Sequence, residues 1–91
     1  MQKYLVEFLG TLFLTFIILA TGNWLTIGAA LAVACLLGGA ISGGAFNPAV
    51  AIVYGASGKI AYNDVVPYII AQIAGALVGL ELVKRTMKMR K

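Results

Sequence analysis

The chain has 91 residues, 62 % of them hydrophobic and 11 % charged, with a mean hydropathy of +0.98 and a net charge of +4. A soluble domain carries about a quarter charged residues and about half apolar ones, so both an ordinary soluble domain and a disordered chain are excluded. There is no His and one Cys, which excludes His-based acid–base catalysis, a disulfide within the chain and the usual zinc sites.

A membrane span needs about 20 mostly apolar residues, and three segments meet or approach that length. The first runs from about residue 4 to residue 22 and is closed by Asn23. A signal peptide is the weaker reading of it, because Glu7 interrupts its start and Thr21-Gly22-Asn23 is a poor cleavage site. The second is short, from about 25 to 39. The third runs from about 65 to 83, with Asn63-Asp64 expected to cap its start and Lys84-Arg85 closing it. Pro67 falls in its first turn, where a missing N–H does no harm.

Between the second and third spans, residues 41–55 are apolar but too short to cross. The segment opens with glycines, so its first part is not expected to be helical. Asn47 is a good N-cap, Pro48 suits the first helical position, and Gly55 can end the helix. That describes a half-helix of about two turns. Non-helical backbone survives at membrane depth only where protein covers it or it lines a watery cavity. A re-entrant loop is therefore preferred over an amphipathic surface segment, since no charge appears until Lys59. The fold class expected is an all-α membrane protein, with three transmembrane helices plus one re-entrant half-helix. Residues 1–83 form this unit and 84–91 form a basic tail.

Ser42-Gly-Gly-Ala-Phe-Asn47-Pro48-Ala49-Val50 resembles the signature of the major intrinsic proteins, the aquaporins and aquaglyceroporins. Glu7-Phe-Leu-Gly-Thr11 is similar to that family's first-helix pattern, and Tyr68-Ile-Ile-Ala-Gln72-Ile-Ala-Gly-Ala76 to its third-helix pattern. The resemblance covers nearly the whole chain. The family's usual chain has two inverted halves, each with three spans and one half-helix. Only one half is recognisable here, without an internal repeat. It is more like the first half, because Val50 stands where the second half usually places an Arg. It departs from the family in having Ala45 where a His is common, and in its short connection at Asn23-Trp24. A single half cannot enclose a pore. The resemblance therefore implies an antiparallel pair or a multiple of it, or a second half-channel as partner.

In such a pore, two half-helix N-termini meet near the midplane, each with partial positive charge. The resemblance implies that Asn47, Pro48 and Ala49 form the pore centre, with the Asn47 amide donating to a passing oxygen. Carbonyls of Gly43, Gly44, Ala45 and Phe46 would accept along the approach. The positive centre disfavours cations and protons. Carried over by position, the family's constriction falls at Ile27, Cys35, Gly44 and Val50, with one copy supplying Ile27 and the other the remaining three. These residues lack the aromatic, His and Arg of strict water channels. That implies a wider ring, passing small neutral solutes such as glycerol, urea or ammonia, or a dry one that closes by dewetting.

Several residues carry a plainer reading beside this one. Glu7 either snorkels toward water beside Lys3 or, as the resemblance implies, accepts N–H groups of the loop. Gln72 reads as a structural hydrogen-bonding residue, and Gly75 and Gly79 as helix-packing positions. Cys35 by itself is a small apolar residue. Tyr4, Trp24 and Tyr62 sit at span ends, as aromatic belts do. Glu81 with Lys84 and Arg85 reads as a local ion-pair cluster.

Five of the seven basic residues, Lys84, Arg85, Lys88, Arg90 and Lys91, lie in the last eight positions, while Lys3 and Lys59 lie on the other membrane face. Five against two predicts a cytoplasmic tail, whereas the family's first half inserts with that end outside. The tail is too short and isolated to read as a nucleic-acid site. No nucleophile–base pair or metal-binding cluster points to an enzyme, and no cofactor is expected. The expected partners are membrane lipid, water and small neutral solutes, and the expected location is the cell membrane as a multi-pass protein. Three readings follow: a half-size channel, a non-conducting module that pairs with another channel subunit, and a fragment without function.

Overall fold

The computed structural model describes residues 1–87; Lys88, Arg90 and Lys91 of the tail lie outside the described residues. Helix α1 spans Gln2–Thr21, α2 Trp24–Ser42, α3 Pro48–Ser57 and α4 Val65–Thr86, the last preceded by a single 3₁₀ turn at Tyr62–Asp64. The three long helices are each long and apolar enough to cross a membrane. At about 1.5 Å per residue, the 20 residues of α1 rise about 30 Å, the thickness of a bilayer's hydrocarbon core. The 10 residues of α3 rise about half of that.

Helix α1 ends where Gly22 takes a left-handed conformation, φ 55°, and returns its N–H to the Ile18 carbonyl. Asn23 then caps α2, accepting from the Thr26 N–H at 2.9 Å. Two residues suffice for the reversal, so α2 runs back antiparallel along α1. Helix α4 packs on the other side of α1, running parallel to it, and α3 packs on α4. The interior is unlike that of a soluble bundle. Glu7, Thr11, Ser42, Asp64 and Gln72 are buried, while Leu36, Leu37, Ile70 and Leu77 are exposed. In lipid this arrangement is expected, since apolar side chains gain little by turning inward and polar groups gain by facing protein; Thr11 Oγ1 and Gln72 Oε1 nonetheless have no hydrogen-bond partner among the described residues.

Glycines set how closely the helices approach. A Cβ on Gly75 would overlap the Phe8 carbonyl of α1, and one on Gly79 would lie 2.9 Å from the Leu12 carbonyl oxygen. The α1 and α4 backbones therefore touch, which is the contact that small-xxx-small spacing permits.

Four boundaries differ from the sequence reading; helix α4 continues through Lys84-Arg85 to Thr86, so the first part of the expected tail is helical. Helix α2 continues three residues past Gly39 to Ser42, because Gly43, at φ 88°, provides the left-handed cap. Helix α3 passes through Gly55 and stops at Ser57, with Gly58, φ 84°, as its cap. Gly55 instead makes room for Val65, whose Cγ2 a Cβ there would overlap. Asp64 stands at the N-cap position of α4 but makes no side-chain cap hydrogen bond. Its carboxylate accepts from Lys3 Nζ at 2.7 Å and Tyr4 Oη at 2.5 Å, tying the start of α1 to that of α4. Lys3 thus pairs with Asp64 rather than standing beside Glu7. At the far end of α4, Glu81 pairs with Arg85 at 3.3 Å and Lys84 at 3.9 Å.

Gly75→Leu should force α4 off α1, because backbone carbonyls cannot yield as a side chain can. Overpacking typically costs about 1–3 kcal/mol, and thermal unfolding in detergent micelles followed by circular dichroism should show a clearly lower midpoint. Gly28→Ala, on α2 with open space around its Cα, should leave the midpoint unchanged or raise it. Equal midpoints for Gly75→Leu and the unaltered protein would contradict the backbone contact.

Candidate functional site

The segment between α2 and α3 turns back inside the membrane-spanning depth. Gly43 and Gly44 adopt φ of 88° and 69°, a region closed to most L-residues. Phe46 adopts φ 50° without being glycine, which costs about 1–2 kcal/mol. Its placement offsets that strain. The Phe46 ring enters a notch between α1 and α2 floored by Gly10 and Gly38. A Cβ at Gly10 would overlap the ring, and one at Gly38 would lie 3.2 Å from its Cζ.

Glu7, with no exposed surface, holds the turn. Its Oε1 accepts from the Phe46 N–H at 2.8 Å and from Gln72 Nε2 at 2.8 Å. Its Oε2 accepts from Ser42 Oγ at 2.7 Å and from the Ala45 N–H at 3.1 Å. Four donors from α2, the loop and α4 thus converge on one carboxylate of α1. Ser42 acts twice more: its Oγ accepts from the Gly44 N–H at 3.2 Å and its carbonyl from Tyr68 Oη at 2.6 Å. Tyr54 of α3 donates to the Gly43 carbonyl at 3.2 Å.

Asn47 is extended, φ −160°, and caps α3: its Oδ1 accepts from the Ala49 N–H at 2.7 Å and the Val50 N–H at 3.4 Å. Pro48 occupies the first turn. This use of Oδ1 leaves the amide Nδ2 without a partner among the described residues, and Asn47, Pro48 and Ala49 are all exposed. The N-terminus of α3, where the helix dipole leaves partial positive charge although Asn47 caps the Ala49 and Val50 N–H groups, thus faces outward from this chain with a free amide donor beside it.

Of the four positions carried over for a constriction, the structure brings two together. Cys35 Sγ lies 3.8 Å from the Gly44 carbonyl. Val50 is half-buried and packs against the cluster of Ala45, Ala51 and Tyr68. Ile27 lies eight residues before Cys35 on α2, about 12 Å along the helix.

Sequence reasoning did not single out Ser42, Tyr54, Tyr68, Gly10 or Gly38 as site residues. Two carried a signal: Gly10 stands three residues after Glu7, on the same helix face, and Ser42 is a lone hydroxyl just before a Gly-Gly pair.

Glu7→Leu removes the acceptor of four buried donors. Each stranded donor costs about 1–3 kcal/mol, so this variant should lose most of its cooperative thermal transition in detergent. Glu7→Gln keeps the shape but turns an NH2 toward donors, and should melt between the two. A Glu7→Leu protein melting with the unaltered chain would show that the loop is held by something else.

The family profile described as Major intrinsic protein matches residues 20–91. Glycerol uptake facilitator protein-like 6 of Lactiplantibacillus plantarum is 44 % identical over 93 residues, covering 92 % of this chain and 43 % of the relative. The glycerol uptake facilitator protein of Streptococcus pneumoniae is 37 % identical over 102 residues, covering 91 % and 43 %. Aquaporin Z of Bradyrhizobium diazoefficiens is 35 % identical over 97 residues, covering 90 % and 40 %. The chain spans less than half the length of these curated relatives, and no solved structure gives a significant match. With three apolar helices of spanning length around a re-entrant Asn-Pro-Ala half-helix, the chain belongs to the major intrinsic protein family of integral membrane proteins.

Proposed function

We propose that this chain is one half of a passive channel for water and small neutral solutes such as glycerol, completed by a second half-repeat of opposite orientation. A second copy of the chain is the partner proposed. The observation that carries this reading is the N-terminus of α3, presented outward with the Asn47 amide free. The names of the relatives, glycerol uptake facilitators and an aquaporin, support the same class of solute.

In the proposed pore, two such N-termini oppose each other at the midplane. Asn47 Nδ2 donates to the oxygen of a passing water or hydroxyl, and the loop carbonyls of Gly43, Gly44, Ala45 and Phe46 accept its protons. The paired dipoles raise the energy of any cation or proton there. Ile27, Cys35, Gly44 and Val50 form the proposed ring. It carries no charge and little bulk, so glycerol passes as well as water. Glu7 and Gln72 keep the loop in place and touch no solute. No chemical step occurs, and the reading is that of a channel and not of an enzyme.

Purified protein in liposomes should raise water and glycerol permeability above empty vesicles in stopped-flow light scattering, with no proton leak. Asn47→Asp places a carboxylate at the positive centre and should admit cations while water flux persists. Flux equal to empty vesicles from folded protein would sink the channel reading. A folded Asn47→Asp protein that still excludes sodium and protons would remove Asn47 from the central barrier.

The charge distribution makes the pairing testable. Lys3 and Lys59 lie at one membrane face and five basic residues at the other, which favours one orientation. Met89→Cys in a Cys35→Ala background should be labelled from both faces of intact cells, weighted to a cytoplasmic tail. Neutralising Lys88, Arg90 and Lys91 leaves two against two. Labelling should then approach equality and flux per protein should rise, since antiparallel pairs are most numerous at balance. Wholly one-sided labelling with persistent flux from pure protein would exclude the antiparallel pair of copies.

A further inference from the structure

We propose that the pocket enclosed by the start of α1, the end of α2 and residues 59–64 binds the head of an anionic glycerophospholipid. The pocket holds about 410 Å³ and is lined by Lys3, Ala40, Ile41, Lys59, Ile60 and Asp64, among others. Its volume is at the small end of the usual range for ligand sites, about 300–1,000 Å³.

Two chemical features converge there. The first is positive charge. Lys3 and Lys59 both line the pocket. Asp64, which also lines it, is already engaged by Lys3 and Tyr4. Lys59 has no carboxylate partner among the described residues; its ammonium sits 5.3 Å from the Tyr54 ring centroid. The second feature is a pair of open acceptors. A continued helix would bring the Gly44 and Ala45 N–H groups to the carbonyls of Ala40 and Ile41. Here the Gly44 N–H goes to Ser42 Oγ and the Ala45 N–H to Glu7. The Ala40 and Ile41 carbonyls thus lose their helical partners, and both residues line the pocket. Phosphate suits the lysines, and glycerol hydroxyls suit the carbonyls.

The pocket's position favours a lipid over a soluble phosphate. It lies at the ends of the spanning helices, where headgroups lie. Ile41 and Leu37 are one turn apart on α2, 51 % and 71 % exposed, and form an apolar track leading from the pocket toward the membrane interior. An acyl chain can follow that track while its phosphate rests beside Lys59, the lysine of the pocket that no carboxylate neutralises among the described residues. An anionic head near one lysine gains about 1 kcal/mol.

The test is native mass spectrometry of the full chain in detergent, titrated with phosphatidylglycerol or phosphatidylcholine. Lys59→Gln should weaken phosphatidylglycerol binding about fivefold, equivalent to about 1 kcal/mol, and leave phosphatidylcholine unchanged. Lys59→Arg should keep the affinity. Lys84→Gln, at the opposite membrane face, serves as the control for general charge attraction and should have no comparable effect. Equal losses in Lys59→Gln and Lys84→Gln, or equal binding of the two lipids, would overturn the site. Glycerol 1-phosphate at millimolar concentration should fail to displace the lipid; displacement would assign the pocket to a soluble phosphate ester and overturn the lipid. Lys59 is exposed and its side chain makes no hydrogen bond among the described residues, so an unchanged thermal midpoint is expected and checks the fold. Binding is read without any flux, so this result stands apart from the channel reading.

Discussion

Everything that positions the re-entrant loop depends on one carboxylate placed where a carboxylate should not be. Glu7 is fully buried in a helix of spanning length, and an ionised group there is tolerated only if every lone pair is engaged. Four donors engage it, two of them backbone N–H groups that the loop cannot satisfy within itself. The dependence is mutual. The loop's N–H groups would be orphans at membrane depth without Glu7, and Glu7 would be an uncompensated charge without the loop. Such a half-and-half arrangement has no stable partial version. It therefore fixes the direction in which Asn47 leaves the loop, and with it the axis of α3.

Glycine does the complementary work on the steric side. With little hydrophobic drive to hold helices together in lipid, contact must come from close packing. Gly75 and Gly79 let α4 meet the α1 backbone, which brings Gln72 within reach of Glu7. Gly10 and Gly38 open the notch that takes the Phe46 ring. The strained φ of Phe46 is tolerable because ring and N–H are both fixed, one by the notch and the other by Glu7. Removing either glycine pair would misplace a donor of the Glu7 cluster, so packing and polar pairing are a single system.

The Asn47-Pro48 start of the half-helix was legible because a cap and a first-turn proline are local devices, written in adjacent residues. The three spans were legible for the same reason, as runs of apolar residues. Glu7 was legible only as a choice between water and loop, since the choice depends on where residues 38 and 39 positions later fold back. Gly39 and Gly55 look like helix ends in sequence, yet Gly43 and Gly58 provide them. A glycine that ends a helix and a glycine that admits a neighbour are identical in sequence; only the presence of Val65 against Gly55 separates them. Asp64 misled in the same way. It stands where a cap would stand, but Lys3 and Tyr4, sixty or so positions earlier, take its oxygens.

What the chain leaves unfinished is as informative as what it satisfies. Among the described residues helix α2 packs along α1 and touches α4 through the Tyr68 hydrogen bond to the Ser42 carbonyl, and α3 packs on α4 and the turn before it, so the edge carrying Asn47, Pro48 and Ala49 has no cover. A free primary amide facing hydrocarbon costs about 4 kcal/mol or more. Lipid cannot meet this demand, because its tails offer no acceptors. A watery lumen can, and a lumen at that depth needs a second wall. In the proposed pairing with another half-repeat, the polar cost at the Asn47 edge would act as the driving force, much as apolar area drives association in water. In that proposed pore, the same argument would bring the two halves together at their half-helix tips. Those tips are the groups that gain most from water held between them, and least from being left in lipid.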